Sequence, residues 1–273
     1  MVMAIQAIIY FVLLPTGKTR LAPFDFFILV TITVLMAASG YVINDYYDHD
    51  TDRINKPAKW IAGNTWPLAL VLKVYFLIVG IGFVLSIFLA SRLGLMHWIL
   101  LYPGGVVGLW LYSYVLKCRP IAGNLWVSFF CAAVVLIVAM PDWLLHNGKI
   151  IRPELWGYAA FAFLTTWYRE MVKDMEDVRG DNQIHCQTFV VRYGVRAGKL
   201  FSLVLGAGLL LALIWWDSLQ HNRTLHLGLL VLQGAVVGSI AFVWWAKNHS
   251  YFTNASTLIK VVMAVGTGLL LFL

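Results

Sequence analysis

Nine apolar runs, most of them near the length of a bilayer crossing, divide this 273-residue chain and leave short polar connections between them. They cover roughly residues 2–15, 23–46, 67–91, 95–116, 121–141, 154–175, 197–216, 224–246 and 255–273. A helix needs about 20 apolar residues to cross the hydrocarbon core. In lipid the backbone must satisfy its own hydrogen bonds, so a spanning segment is a helix or part of a closed barrel. No barrel-type alternation appears, which leaves helices. Pro15, Pro23, Pro67, Pro120, Pro141 and Pro153 lie near the breaks, where a missing N–H is tolerated. The expectation is one all-α membrane domain over 1–273 with about nine transmembrane helices. The first run is short for a span. It has neither a basic leader nor a small-residue cleavage site, so a removed signal peptide is not expected.

Composition agrees. The chain is 61% hydrophobic with only 12% charged residues, against about 25% charged in soluble domains. In such a chain the net charge of +7 reports topology, anionic ligands or lipid headgroups rather than nucleic acid. Cys118, Cys131 and Cys186 show no paired framework and no metal-ligand spacing. They are expected to act as small buried hydrophobes. Nothing in the chain implies an obligate protein partner.

Lysine and arginine set the orientation. The connections after the even-numbered runs hold twelve of them: Arg53, Lys56, Lys59, Lys117, Arg119, Arg169, Lys173, Arg179, Arg192, Arg196, Lys199 and Lys247. The opposite side holds six: Lys18, Arg20, Arg92, Lys149, Arg152 and Arg223. The positive-inside rule puts the richer side in the cytoplasm. An integral protein of the cell membrane is the expectation.

Carboxylates are the exception to this oily pattern. Nine of the 13 Asp and Glu residues fall in two stretches, Asn44–Asp52 and Glu170–Asp181. Charges beside membrane spans are costly and usually functional. Both stretches lie on the expected cytoplasmic side, so one site built from two halves is geometrically allowed. Asn44, Asp48 and Asp52 are spaced i, i+4, i+8 and share a face if the helix continues. Asp174, Asp177 and Asp181 are spaced i, i+3, i+7, although Gly180 can end the helix before Asp181. Facing carboxylates with an amide oxygen suit Mg²⁺, which keeps coordination sites for water and phosphate. The metal reverses the repulsion between these carboxylates and a diphosphate. His49 and His185 are expected to be hydrogen-bonded locally or solvated, since one His among hard oxygen donors is not a zinc pattern.

The first stretch and its continuation, NDYYDHDTDRINKP, resemble the Asn-Asp-x-x-Asp-x-x-x-Asp signature of the UbiA superfamily of intramembrane prenyltransferases. YREMVKDMEDVRGD is similar to that family's second Asp-rich motif, and LYSYVLKCRPIAGN to its connection after the fourth helix. The second motif is most like the digeranylgeranylglyceryl phosphate synthase branch and its bacterial relatives. The resemblance implies helices arranged around a central active-site cavity. It also implies Mg²⁺-dependent transfer of a polyprenyl group, geranylgeranyl in that branch, from its diphosphate to a lipophilic acceptor such as geranylgeranylglyceryl phosphate.

Carried over residue by residue, it implies Asn44, Asp48, Asp52, Asp174, Asp177 and Asp181 as metal residues. Asp48, Asp174 and Lys117 become the catalytic core. Lys117, Arg53, Lys56, Lys59, Arg169 and Lys173 become diphosphate-binding residues. Tyr46, Tyr47, Tyr112, Tyr114 and Trp167 are candidates to line the prenyl path, where π-faces stabilise developing positive charge. The chain departs from the pattern at Lys59-Trp60, where the family has a basic-Pro pair, and in its short first run, where Gln6 is the polar candidate to approach the acceptor. An aromatic quinone precursor is the alternative acceptor. A cation transporter with an acidic vestibule is the alternative from another class, although transporter sites lie near the midplane. CDP-alcohol phosphotransferases open their motif with Asp-Gly, which neither stretch shows.

Overall fold

A computed structural model describes residues 1–14, 19–55, 58, 60–145 and 153–273. Helix α1 (Val2–Ile8) continues as a π-helical turn, Ile9–Leu13. Helix α2 (Pro23–Tyr47) starts on a proline, whose lost N–H would be unpaired there in any case. Asp48 interrupts it before α3 (His49–Asn55). Helix α4 (Leu68–Leu93) stops at Gly94, which takes the left-handed conformation (φ +66°) that ends helices. Then follow α5 (Leu101–Leu111), α6 (Ala122–Leu136), α7 (Met140–Leu145), α8 (Pro153–Gln183), α9 (Phe189–Ser218), α10 (Arg223–Trp245) and α11 (His249–Leu269). Among the described residues there is no sheet, only an isolated bridge between Ala62 and Trp66.

Among the described residues, six helical segments are long and apolar enough to cross a membrane: Pro23–Tyr47, Leu68–Leu93, Met96–Leu116, Phe189–Ser218, Arg223–Trp245 and His249–Phe272. Val2–Leu13 and Ala122–Leu136 are apolar but shorter. The expected run 121–141 splits because the chain turns after α6 and restarts with Pro141 in the first turn of α7. Helix α8 runs eight residues past its apolar stretch, so its second half is charged. Helix α9 begins earlier than expected and bends at Gly194, whose φ of +86° only glycine adopts freely.

Helix α2 packs on α4 and α5, and α6 packs on α8. Helix α8 also meets α9 and α11, and α10 joins these two. Helix α1 touches both α2 and α6, and α3 touches α8. Large apolar side chains face outward along the long helices, among them Phe76, Val84, Leu211 and Trp215. That is the pattern of helices solvated by lipid. A second apolar cluster forms where α8, α9 and α11 meet, with Tyr168, Met171, Val172, Met175, Val190 and Phe252 at its centre. At 100° per residue, these α8 side chains lie opposite Glu170, Asp174, Asp177 and Asp181. Apolar packing on one side of α8 therefore fixes the direction of the carboxylates on the other.

Candidate active site

The first acidic stretch stays nearly helical through its break. The Asp48 N–H donates to the Asn44 carbonyl and the Asp52 N–H to that of Asp48, both at 2.8 Å. The i, i+4, i+8 spacing thus survives. The Asn44 amide donates to the Asp48 carboxylate at 2.5 Å. His49 binds the Tyr46 carbonyl through Nδ1 at 2.9 Å, the local role expected of it.

Lys117 reaches the same carboxylate from the end of the turn that follows α5. Its Nζ donates to Asp48 Oδ2, and the two form an ion pair. Two local features aim it. A π-helical turn, Tyr112–Leu116, precedes it, closed by the Lys117 N–H on the Tyr112 carbonyl at 2.9 Å. Such turns re-aim side chains and recur at functional sites. Gly123 at the start of α6 then lets the next helix come close. A Cβ there would lie 2.8 Å from the Leu116 carbonyl oxygen and 3.0 Å from Lys117 Cα. Burial opposes the charge on Lys117, but Asp48 outweighs it and raises the ammonium pKa above its ordinary value.

The second stretch remains helical through Gly180, so Asp181 sits on α8 rather than in a loop and is buried. The amide of Asn124, at the start of α6, donates to Asp174 Oδ2 at 2.9 Å. One turn earlier, buried Glu170 accepts from Arg169 at 2.7 Å and from Lys173 at 3.4 Å. Lys117 lies within electrostatic reach of Lys173 and Asp181. The Tyr112 hydroxyl lies within electrostatic reach of Glu170, Asp48, Asp174 and Asp181. The two stretches therefore converge on one place, with Lys117 and Tyr112 between them.

Asn124 and Glu170 are part of this arrangement but carried no assignment in the sequence reading. Glu170 was detectable as the residue one turn before Asp174. Asn124 was detectable as the last residue of LYSYVLKCRPIAGN, the stretch that resembles the family's connection after the fourth helix.

The other candidates scatter. Arg53 is exposed, and Lys56 and Lys59 lie outside the described residues. Tyr46 packs edge-on to Tyr47, centroids 5.2 Å apart, and against the main core. Tyr47 also meets Tyr114, which stacks on Trp110 at 5.1 Å and is 60% exposed. Trp167 packs between Phe163 and Phe201, beside the second apolar cluster. Gln6 is fully buried, and its Nε2 donates to Thr33 Oγ1 at 3.1 Å, tying α1 to α2.

The cysteine expectation is overturned. Cys118 and Cys186 form a disulfide across 68 residues, and Cys131 alone is a free thiol. Neither spacing nor composition marks the pair, because only the approach of the connection after α5 to the end of α8 brings them together.

The donor chemistry fits Mg²⁺ held through phosphate. Asn44, Asp48, Asp174 and Asp181 offer hard oxygen atoms. Among the described residues, however, no three His, Cys, Asp or Glu side chains form a cage of their own. That combination is how Mg²⁺ is held with phosphorylated substrates: one or two carboxylates, with phosphates and waters completing the shell.

At the other end of α2, about 35 Å away at 1.5 Å per residue, Asp25 pairs with Arg92 of α4 at 2.5 Å. Asp142 accepts from the Arg20 N–H at 2.6 Å and from Thr19 at 2.8 Å. These contacts tie helix ends together far from the acidic stretches.

The sequence profile of the UbiA prenyltransferase family matches residues 4–268. A digeranylgeranylglyceryl phosphate synthase of Methanospirillum hungatei JF-1 is 30% identical over 249 residues, which is 87% of this chain and 79% of the relative. Among solved structures, one described as giving insights into digeranylgeranylglyceryl phosphate synthase in membranes superimposes with a TM-score of 0.70. It shares 20% identity, and the match covers 99% of this chain and 92% of the other. A UbiA homologue from Archaeoglobus fulgidus bound to DMAPP and Mg²⁺ matches with a TM-score of 0.56 and 13% identity, over 100% of this chain and 95% of the other.

Proposed function

The chain belongs to the UbiA prenyltransferase family, and from that premise we propose that it moves a geranylgeranyl group from its diphosphate to a lipophilic acceptor of the geranylgeranylglyceryl phosphate type. The observation that carries this reading is the convergence of Asp48, Lys117, Asn124 and Asp174 at one end of the helices. The solved relative with DMAPP and Mg²⁺ supports the donor class. The named synthase relative supports the ether-lipid acceptor.

Asp48 with Asn44, and Asp174 with Asp177 and Asp181, are the two walls that would hold Mg²⁺. Bound there, Mg²⁺ supplies the charge that makes the diphosphate a competent leaving group. Lys117, Arg169 and Lys173 bind the remaining phosphate oxygens by charge-assisted hydrogen bonds. When the allylic C1–O bond breaks, its electron pair leaves with the diphosphate. Tyr112, beside the carboxylates, presents a π-face to the positive charge left on the prenyl fragment. The surrounding apolar helices keep water away until the acceptor hydroxyl oxygen bonds to C1 and gives up its proton to the departing diphosphate. The lysine- and arginine-rich connections favour the cytoplasmic face of the cell membrane for this end of the protein.

The test is diphosphate release from geranylgeranyl diphosphate by protein in lipid nanodiscs, with Mg²⁺ and geranylgeranylglyceryl phosphate. EDTA should abolish it. The double variant Asp48→Ala, Asp174→Ala should lose it while keeping its helical content. Full activity in that variant would remove these walls from the reaction. Release only with an aromatic acceptor would replace the ether-lipid reading.

A further inference from the structure

The Cys118–Cys186 disulfide joins the two connections that carry opposite sides of the site. Cys118 directly follows Lys117, the residue that binds Asp48. The Cys186 N–H donates to the Asp181 carbonyl at 2.8 Å, so this cysteine closes the end of α8 directly against the second acidic stretch. The two Cα atoms are 4.7 Å apart.

The backbone on both sides of the bond is strained. Among the described residues, two that are not glycine have positive φ: Ile121 at 65° and His185 at 60°. Ile121 lies three residues after Cys118, and His185 immediately precedes Cys186. At Ile121 (ψ −40°) the chain makes a γ-turn, with the Ala122 N–H on the Pro120 carbonyl at 2.7 Å. A β-branched residue is unfavourable there and persists only where the surroundings over-determine it. The cross-link supplies such a constraint to both turns at once.

Cys118 is exposed and Cys186 is buried, so the bond is open to attack from the Cys118 side. On the cytoplasmic face, where the proposed topology puts it, a persistent disulfide is uncommon and reversible redox pairs are the usual kind. We propose that Cys118–Cys186 is a thiol–disulfide switch on the diphosphate site: oxidised, it holds the Lys117 connection against the end of α8; reduced, it releases both turns and weakens diphosphate binding. The reductant is a dithiol. It attacks the bond in two exchange steps and leaves as its own disulfide, and Cys118 and Cys186 each gain one electron and one proton.

This proposal rests on the diphosphate site described above, and its test separates the two. First, denatured but unreduced protein is alkylated and weighed. One modified thiol, Cys131, is expected; three would overturn the pairing. Second, binding of Mg²⁺ with inorganic diphosphate is measured by calorimetry in nanodiscs, before and after dithiothreitol and again after reoxidation. Reduction should weaken binding on the order of tenfold, as expected when a binding group is displaced by a small distance, and reoxidation should restore it. The Cys118→Ser, Cys186→Ser variant should match the reduced protein and ignore dithiothreitol. Cys131→Ser should respond as the parent does. Should the double variant not fold, the reversible response of the parent protein still decides the matter. Equal binding in both redox states overturns the switch and leaves the site intact. No binding in either state overturns both.

Discussion

The Asn124 amide donates a 2.9 Å hydrogen bond to Asp174, tying the first turn of α6 to the second acidic stretch. The arrangement repeats that of Asn44 on Asp48 in the first stretch. In each stretch an amide donates to one carboxylate oxygen, Oδ2.

Asn124→Ala should therefore disturb metal use more than folding. A hydrogen bond to a charged group contributes roughly 1.5–3 kcal/mol, and about 1.4 kcal/mol is a factor of ten. The Mg²⁺ concentration for half-maximal diphosphate release should rise about tenfold or more. Asn124→Gln should recover part of the loss. An unchanged Mg²⁺ titration would exclude Asn124 as a positioning residue.

Lys117→Ala should abolish diphosphate binding and take the ammonium away from the buried Asp48 carboxylate, which keeps its bond from the Asn44 amide. Lys117→Arg keeps the charge but carries a planar fork in place of a compact ammonium. It should retain binding while losing rate. Calorimetry with Mg²⁺ and inorganic diphosphate, set beside turnover, separates the two variants; equal binding by Lys117→Ala and the parent would contradict the proposed role.

Much of this organisation is readable from residues close in sequence. The long apolar runs, the i, i+4, i+8 spacing after Asn44 and the spacing after Asp174 depend on helical periodicity alone. What escapes is set by approach across the fold. The Cys118–Cys186 bond and the Asn124–Asp174 hydrogen bond join segments separated by 68 and 50 residues. No local pattern encodes either one. Helix α8 likewise continues through Gly180 to Gln183, beside Val178, which packs on the second apolar cluster. The scatter of Tyr114 and Trp167 has a simpler cause. In a chain this rich in aromatic residues, ring type alone does not indicate which way a side chain faces.

Gly123→Ala tests how Lys117 is aimed. The added methyl would meet backbone, the Leu116 carbonyl oxygen at 2.8 Å, which cannot rotate away as a side-chain tip can. Overpacking of this sort costs about 1–3 kcal/mol. Thermal stability and diphosphate affinity should fall together. Gly104→Ala is the control, since nothing lies within 4 Å of the added carbon and alanine favours the helix. If both substitutions behave alike, the close approach of α6 to Lys117 has no functional weight.

Arg92→Ala should show the opposite profile. Arg92 is partly exposed, but its partner Asp25 is buried at the start of α2. Removing the guanidinium strands that carboxylate, while solvent around Arg92 softens the loss. A small destabilisation, read as a lower melting temperature, is expected. The pair lies about 35 Å along α2 from Asp48, so the Mg²⁺ titration and the apparent KM for prenyl diphosphate should stay at parental values. A shift in either, at temperatures where the variant is folded, would mean that the far end of α2 is coupled to the acidic stretches rather than serving only to fasten α2 to α4.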